Sequence, residues 1–275
     1  MGLLNKLSNY QLNNKANQIR RDLVEVAIGN GAGHIAPSLS CVEILTALYY
    51  RIMHLSDDPQ WEERDRLVLS KAHGCYGMYA ILADIGYIRR EEWENFYKGS
   101  FLMGCIERSS AHGIEAGCGS LGHGLPMAVG IAFGAKLQNK KCHVYCIVGD
   151  GEMQEGSMWE AVQFAVKHRL SNLTIVIDNN GLQAMDFLEN ILTVKKRKDD
   201  LQKKLKAFGC EVDTCNGHKI RDIISVVERW SKSRERELKP YVLIARTVKG
   251  YGLACMENVP EFHFRLPTEE ELKMG

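Results

Sequence analysis

Two short polar motifs, about thirty residues apart, combine the residue types that a magnesium diphosphate site requires. The first is Gly149-Asp150-Gly151-Glu152, and the second centres on Asn180. The glycines let the backbone approach a phosphate group closely, Asp150 offers an anionic oxygen, and Asn180 offers a neutral amide oxygen. Octahedral magnesium that is held by these side chains and a backbone carbonyl keeps positions for phosphate oxygens and water. The motifs therefore predict an ion that bridges the protein to a diphosphate.

Either motif alone is better explained by ordinary loop chemistry. Gly-Asp-Gly is typical of a tight turn, and Asn-Asn-Gly is typical of an irregular loop. The combination reverses that preference for two reasons. Each motif follows a predicted strand, and a predicted helix at residues 155–168 lies between the two motifs. This is the arrangement of a βαβ unit, in which both motifs reach the same edge of a sheet.

The elements that must position these motifs are indicated by apolar patterns. Four short runs predict buried strands at residues 66–70, 144–148, 173–178 and 241–248. Apolar residues at helical spacing predict helices that include residues 42–51, 121–137, 155–168 and 220–230. Strands that alternate with helices favour an α/β fold, with a doubly wound, mostly parallel sheet and helices on both faces. Ligands of such sheets bind at the carboxyl ends of the strands, where both motifs lie.

The composition is that of an ordinary globular protein, and we predict one domain over residues 1–275. With 35 Lys and Arg against 34 Asp and Glu, the charge gives no reason to expect nucleic acid or a membrane as a partner. The polar residues 1–21 lack the apolar core of a signal peptide, and the nine cysteines form no CxxC pair. These features favour a cytoplasmic protein without a zinc site. The charged segment 194–206 is expected to form a solvated helix.

Three longer blocks, the last of which contains both motifs, resemble the transketolase family, and they occur in the family's order. They cover residues 64–87, 119–137 and 148–183. The resemblance implies that the cofactors are thiamine diphosphate and Mg²⁺, and that the metal is held by Asp150, Asn180 and the carbonyl of Leu182. It also implies a set of cofactor-binding residues, which are His73, Gly119, Leu121, Gly149, Asp150, Gly151, Glu152, Asn180 and His263. Within this set, Gly119 and Leu121 would contact the aminopyrimidine ring.

Three histidines match catalytic positions of the family. They are His34 in GAGHIAPSLS, His73 in SKAHG and His263 in FHFRLP. A single histidine is more often a structural residue than a catalyst, so each assignment depends on its surrounding block. The resemblance implies that these histidines bind the diphosphate and move protons on the donor hydroxyls.

The sequence also departs from the family pattern. Pro37 stands in the loop after His34, where small residues are usual. Another family histidine has no counterpart in residues 102–107, although His112 follows a few positions later and could substitute for it. Cys118 replaces a usual threonine before the Gly-Ser-Leu-Gly block. These differences suggest unusual recognition of the donor.

Thiamine diphosphate chemistry needs a carboxylic acid at the pyrimidine nitrogen, and in the family that group lies in a separate pyrimidine-binding domain. The chain ends at Gly275, soon after His263, so we expect that domain to be absent from it. The resemblance thus implies the N-terminal subunit of a split transketolase, which moves a two-carbon ketol unit between sugar phosphates. Activity would require a separate C-terminal subunit, with two copies of each chain.

Two other classes of function remain open at this point. The nearest is another thiamine diphosphate enzyme, either deoxyxylulose-phosphate-synthase-like or the alpha subunit of a keto-acid dehydrogenase, because both can share the two motifs. The blocks DRLVLSKAHG and GSLGHG favour transketolase. The other class is a non-catalytic subunit on an old enzyme fold, against which the intact Asp150 and Asn180 argue.

Overall fold

The computed structural model describes residues 7–192, 200–233 and 239–274. Its centre is a sheet of five parallel strands in the order β1-β2-β3-β5-β4. The strands are β1 (Arg66–Leu69), β2 (Val144–Gly149), β3 (Leu173–Asn179), β4 (Glu211–Asn216) and β5 (Tyr241–Arg246). The four predicted strands are confirmed, and each is displaced by no more than about two residues at its end.

The sequence did not predict β4, because this strand lacks an apolar run. It reads EVDTCN and is only partly buried at the edge of the sheet. Central strands are covered on both faces and on both edges, so they need continuous apolar residues, whereas an edge strand does not. The central strands β2 and β3 are correspondingly buried along nearly their whole length.

Helices cover both faces of this sheet, as the doubly wound fold requires. In the described residues they are α1 (Asn9–Asn30), α2 (Ile35–Leu39), α3 (Val42–Ala47), α4 (Cys75–Asp84), α5 (Arg90–Glu94), α6 (Gly124–Leu137), α7 (Gly156–Lys167), α8 (Leu188–Ile191), α9 (Asp200–Ala207), α10 (Ile220–Ser233) and α11 (Glu269–Met274). Helix α6 packs on β1, β2, β3 and α7, whereas α10 packs on β4, β5, α1 and α3. The connections from β1 to β3 cross the sheet in one direction, and the connection from β4 to β5 crosses it in the opposite direction. Because these crossovers are right-handed, α6 and α10 lie on opposite faces of the sheet.

The predicted helices are present with adjusted bounds. The helix predicted from residue 121 begins at Gly124, and the one predicted to end at residue 230 continues to Ser233. The helix predicted at residues 42–51 is α3, which passes into a π-helical turn, Leu48–Ile52. Helix α1 was not predicted, although its buried residues recur at helical spacing among polar ones. No helix in the described ranges is long and apolar enough to cross a membrane.

The segment predicted as a solvated helix, residues 194–206, lies in part outside the described residues. Its described part belongs to α9, which packs on β4. Leu205 is buried there, whereas Lys204 is exposed and forms an ion pair with Asp200 at 2.8 Å. This part of the segment is therefore an amphipathic helix on the edge strand.

Candidate active site

Asp150 lies directly after β2 at the carboxyl edge of the sheet, and it is buried. The register pairs Gly149 with Asp178 of β3, which brings the loops after the two strands side by side. Oδ2 of Asp150 accepts hydrogen bonds from Asn179 Nδ2 at 2.8 Å and from the Gly181 N–H at 2.6 Å. Burial raises the pKa of Asp150 to about 6, although these hydrogen bonds oppose the rise. Neutral donors therefore hold the carboxylate in place.

Asn180 and Leu182 share the loop that follows β3. Asn180 Oδ1 accepts a hydrogen bond from the Leu182 N–H at 3.0 Å, and Asn180 Nδ2 donates to Asp178 Oδ2 at 3.4 Å. Leu182 then pairs with Phe187 in an isolated antiparallel bridge. Because Gly181 in the same loop donates to Asp150, the structure brings the three predicted metal ligands into one cluster of loops.

This donor set fits a magnesium diphosphate. It supplies a carboxylate, an amide oxygen and a carbonyl, which are the hard oxygen ligands that Mg²⁺ prefers. No group of three or more His, Cys, Asp or Glu in the described ranges could hold a metal by itself. Magnesium bound here would therefore rely on phosphate oxygens for part of its coordination, as it does when protein and diphosphate share the ion.

The three predicted catalytic histidines converge. The ring centroids of His73 and His263 are 5.1 Å apart, those of His34 and His263 are 5.5 Å apart, and those of His34 and His73 are 5.9 Å apart. They come from separate elements: His34 precedes α2, His73 lies in the turn after β1, and His263 ends a short turn near the C-terminus. Gly33 permits this approach, because a Cβ there would meet the Phe264 carbonyl oxygen at 1.9 Å.

All three histidines are neutral near pH 7. Burial, together with the nearby charge of Lys249, lowers the pKa of His34 to about 4 and that of His263 to about 3. Burial, with help from Lys71, also lowers the pKa of His73 well below its usual value. His34 Nδ1 is buried and has no hydrogen-bond partner in the described residues. Neutral rings with an unpaired nitrogen suit proton transfer to or from a ligand.

Lys249 links the histidine cluster to the predicted metal loop. Its Nζ lies 2.8 Å from His263 Nδ1 and donates to the Gln183 carbonyl at 3.1 Å. Burial and the nearby Lys71 lower the pKa of Lys249 to about 8, so it is still mostly protonated at pH 7. An ammonium group can only donate a hydrogen bond, so Nδ1 of His263 accepts it. The proton of the neutral His263 ring therefore lies on Nε2. His263 thus presents a donor to the site.

A buried ion pair lies beside this cluster. Lys71 Nζ contacts Asp178 Oδ2 and donates to the Pro37 carbonyl at 2.9 Å and to Ser40 Oγ at 3.2 Å. Asp178 also accepts from Ser40 at 2.5 Å and from Thr247. Burial would raise the pKa of Asp178, but Lys71 and these donors outweigh it and lower the pKa. We call these residues the Lys71–Asp178 network.

The residues predicted to contact the diphosphate and the aminopyrimidine have distinct environments. Gly119 and Leu121 are exposed in the loop before α6, so a ring could reach them. Glu152 is buried, and its carboxylate accepts from the N–H groups of Gly122 and Gly149. Its side chain therefore binds the protein's own backbone, and contact of Glu152 with the diphosphate remains a prediction.

The departures from the family pattern also have structural counterparts. Pro37 lies within α2, and its carbonyl accepts from Lys71. His112 stacks on Phe101 at 4.6 Å and its Nδ1 lies 2.6 Å from Ser109 Oγ. No ring contact in the described part of the chain joins His112 to the three-histidine cluster. Its substitution for the missing family histidine stays a prediction.

Sequence reasoning missed Lys71, Lys249 and Asp178. A signal was available, because Lys71 comes two residues after β1 and Lys249 comes three residues after β5, both at the ligand-binding edge. Buried cations at the carboxyl ends of strands are unusual without an anionic partner.

A parallel α/β sheet with an oxygen-donor loop and a neutral histidine cluster at its carboxyl edge defines a domain that binds a diphosphate cofactor. Residues 12–274 match the family model described as "Transketolase, thiamine diphosphate binding domain". The chain belongs to the transketolase family and corresponds to its thiamine-diphosphate-binding part.

Similar proteins include two that are named as single subunits of transketolases. The chain is 42% identical to a subunit of the apulose-4-phosphate transketolase of Actinobacillus succinogenes, with 98% of this chain and 96% of that protein covered. It is 36% identical to the 6-deoxy-6-sulfo-D-fructose transketolase subunit SqwG of Clostridium sp., over 95% of this chain and 94% of that one.

A solved structure extends the comparison to a longer protein. Transketolase from Campylobacter jejuni superposes with a TM-score of 0.83 at 30% identity over 94% of this chain. The match spans only 41% of that transketolase chain. Similarity of this kind covers the cofactor-binding fold and does not extend to the rest of the longer protein.

Proposed function

We propose that this chain is the thiamine-diphosphate- and magnesium-binding subunit of a two-subunit transketolase. The complex transfers a two-carbon ketol unit from a ketose phosphate to an aldose phosphate. The observation that carries the proposal is the convergence of three neutral histidines, joined through Lys249 to the loop of Asn180 and Leu182. This arrangement offers an anion site and a proton-transfer site side by side.

Each part of the site has a separate task. Asp150, Asn180 and the Leu182 carbonyl would hold Mg²⁺, and the Lys249 ammonium faces the same loop and favours the charge of a diphosphate. Thiamine diphosphate would supply the electron sink for cleaving the bond between C2 and C3 of the ketose.

The histidines would handle protons on the sugar. His34 is neutral and lies in the same cluster, so its ring is a candidate to bind the donor hydroxyl. His73 is neutral and adjacent, and it can accept the proton that leaves the C3 hydroxyl. His263 presents its Nε2 proton, so it stabilises negative charge on an oxygen rather than removing a proton.

The proposal includes a second chain. Similarity over nearly full length to two proteins named as transketolase subunits supports a separate partner that carries the pyrimidine-binding domain. We take residues 1–275 as one domain and expect two copies of each chain in the active complex. All nine cysteines are free thiols and six of them are buried, which suits a reducing compartment such as the cytoplasm.

The reaction class can be tested on the assembled complex. We expect turnover with a ketose phosphate donor and an aldose phosphate acceptor, in the presence of thiamine diphosphate and Mg²⁺, and none when pyruvate replaces the ketose. Activity when pyruvate replaces the ketose would instead assign the chain to a deoxyxylulose-phosphate-synthase-like or keto-acid dehydrogenase activity. Cofactor binding without any turnover would favour a non-catalytic subunit.

A further inference from the structure

Glu152 connects three segments that come from different parts of the chain. Its Oε1 accepts from Ser70 Oγ at 2.5 Å and from the Gly122 N–H at 3.0 Å. Its Oε2 accepts from the Gly149 N–H at 3.1 Å. Ser70 follows β1, Gly122 lies in the loop before α6, and Gly149 ends β2. A single buried carboxylate therefore joins the end of β1, the loop before α6 and the loop after β2.

The loop before α6 has a second attachment at the same residue. The Gly122 carbonyl accepts from Ser157 Oγ, in the first turn of α7, at 2.7 Å. Gly122 has a φ of +84°, and a Cβ there would meet Ser157 Oγ at 2.6 Å and Glu155 Cβ at 2.9 Å. Both backbone groups of Gly122 are thus bonded to the segment that follows β2, and only glycine fits between them.

These bonds matter because the two loops serve opposite ends of one ligand. The loop with Gly119 and Leu121 is the predicted contact for the aminopyrimidine, and the loop with Asp150 is the predicted contact for the magnesium diphosphate. A ligand that touches both loops binds more tightly when their separation is fixed before it arrives, because less ordering is then required on binding. Exposed loops do not hold a separation by themselves, whereas a charged hydrogen-bonded bridge can.

We propose that Glu152 is a positioning residue that fixes the aminopyrimidine loop relative to the diphosphate loop, with Ser157 as a second attachment. This inference rests on the proposed function, since it assigns the two loops to the two ends of thiamine diphosphate. Its effect is on preorganisation of the site. Removing the hydrogen bonds of Glu152 should weaken the binding of a ligand that spans both loops more than the binding of a ligand that contacts only one loop.

Glu152→Gln is the variant that tests the bridge, because the amide keeps the size of the side chain but replaces one acceptor oxygen by a donor. Hydrogen–deuterium exchange of the purified chain needs no cofactor. We expect the amides of Gly122 and Gly149 to exchange about tenfold faster in this variant, as for the loss of a bond worth about 1.4 kcal/mol. The exposed Glu25, on α1, provides the matched control Glu25→Gln, which should leave both amides unchanged.

The second measurement compares two ligands in the assembled complex. Glu152→Gln should weaken the binding of thiamine diphosphate about tenfold. The binding of inorganic diphosphate with Mg²⁺ should weaken much less, since this ligand would touch only one loop. Ser157→Ala should show the same selectivity with a smaller loss, and it serves in place of Glu152→Gln if that variant does not fold. Unchanged exchange at Gly122 and Gly149, or equal weakening of both ligands, would overturn the proposal. Failure of the unaltered complex to bind thiamine diphosphate would instead reject the proposed function, while exchange still reports on the bridge.

Discussion

Asp178, near the end of β3, forms an ion pair with the buried Lys71 ammonium and accepts hydrogen bonds from two hydroxyl groups. Asp150, just after β2, accepts hydrogen bonds only from neutral donors in the described residues. The two carboxylates lie at the same edge of the sheet. The pKa of Asp178 is lowered, while that of Asp150 is raised by burial to about 6. A charge that is neutralised inside the fold serves stability, and a charge without a protein cation remains available for a metal ion.

The same contrast extends to the cations. The Nζ of Lys71 has three protein partners, so its hydrogen-bonding capacity is used within the fold. In the described residues Lys249 bonds to a carbonyl and an imidazole, and its pKa is lowered to about 8 by burial and Lys71. A diphosphate would stabilise the charged form of Lys249. The Lys71–Asp178 network is therefore complete in the chain itself, whereas under the proposed function the region of Asp150 and Lys249 would be completed by a metal ion and an anion.

The largest effect is expected from Asp150→Ala. This variant removes the only carboxylate of the predicted metal site, so magnesium-dependent binding of thiamine diphosphate should be abolished while the fold remains intact. Calorimetry on the assembled complex measures the affinity, and urea unfolding of the chain measures stability. Unchanged cofactor affinity would remove the distinction between the two aspartates.

Asp178→Ala should show the opposite profile. It leaves the Lys71 ammonium buried without its anion, and breaking a buried ion pair in this way costs about 3–5 kcal/mol of unfolding free energy. Urea unfolding of the isolated chain measures the loss, with Asp150→Ala as the matched variant. Equal stability of the two variants would show that Asp178 is not structural.

The histidine cluster belongs with the incomplete region, so its residues should affect turnover more than stability. We expect His73→Ala and His263→Ala to lower the turnover of the assembled enzyme on the order of 10²-fold. The matched control is His54→Ala, because His54 is exposed and packs on Trp61 away from the cluster. Near-normal kinetics for both cluster variants would make these histidines structural residues.

The smallest effect concerns pH. The pKa of His34 is about 4 in the folded chain and about 6.5 when unfolded, so the unfolded chain binds more protons between these values. His34 therefore destabilises the fold as pH falls from 7 to 5, whereas Asp150, whose folded pKa is raised, acts in the opposite direction. His34→Gln removes the contribution of His34. It should reduce the loss of unfolding free energy between pH 7 and pH 5 by about 1 kcal/mol. If the unfolding free energy of the unaltered chain and that of His34→Gln, both measured with urea, changed in parallel with pH, this prediction would be contradicted.

The parts of the site that the sequence predicted are those encoded locally. Asp150 and Asn180 stand in short motifs after apolar strands, and each histidine stands in a recognisable block. The role of Asp178 could not be read in this way, because its partner Lys71 lies 107 positions away and the pair forms only when β1 and β3 enter the same sheet. The internal hydrogen bonds of Glu152 could not be read from the sequence either, since its partners Gly122 and Ser70 are distant in sequence.

The fold shows a similar division. Strands β2 and β3 were predicted because burial on both faces demands continuous apolar residues. The edge strand β4 and the helix α1 carry polar residues on their exposed sides, so neither gave a long apolar run. Periodicity would have found α1, whose buried Leu12, Ala16, Ile19 and Leu23 recur every three or four positions.

The most direct test of the central claim is to purify this chain and a pyrimidine-domain subunit separately, and then to mix them with thiamine diphosphate and Mg²⁺. Native mass and ketol transfer are followed in the same samples. We expect no transfer by this chain alone, and turnover together with a complex of two copies of each chain after mixing, with assembly favoured by the cofactor because it binds both subunits. Robust turnover by this chain alone, with no copurified partner, would contradict the account and would place the missing carboxylate within these 275 residues.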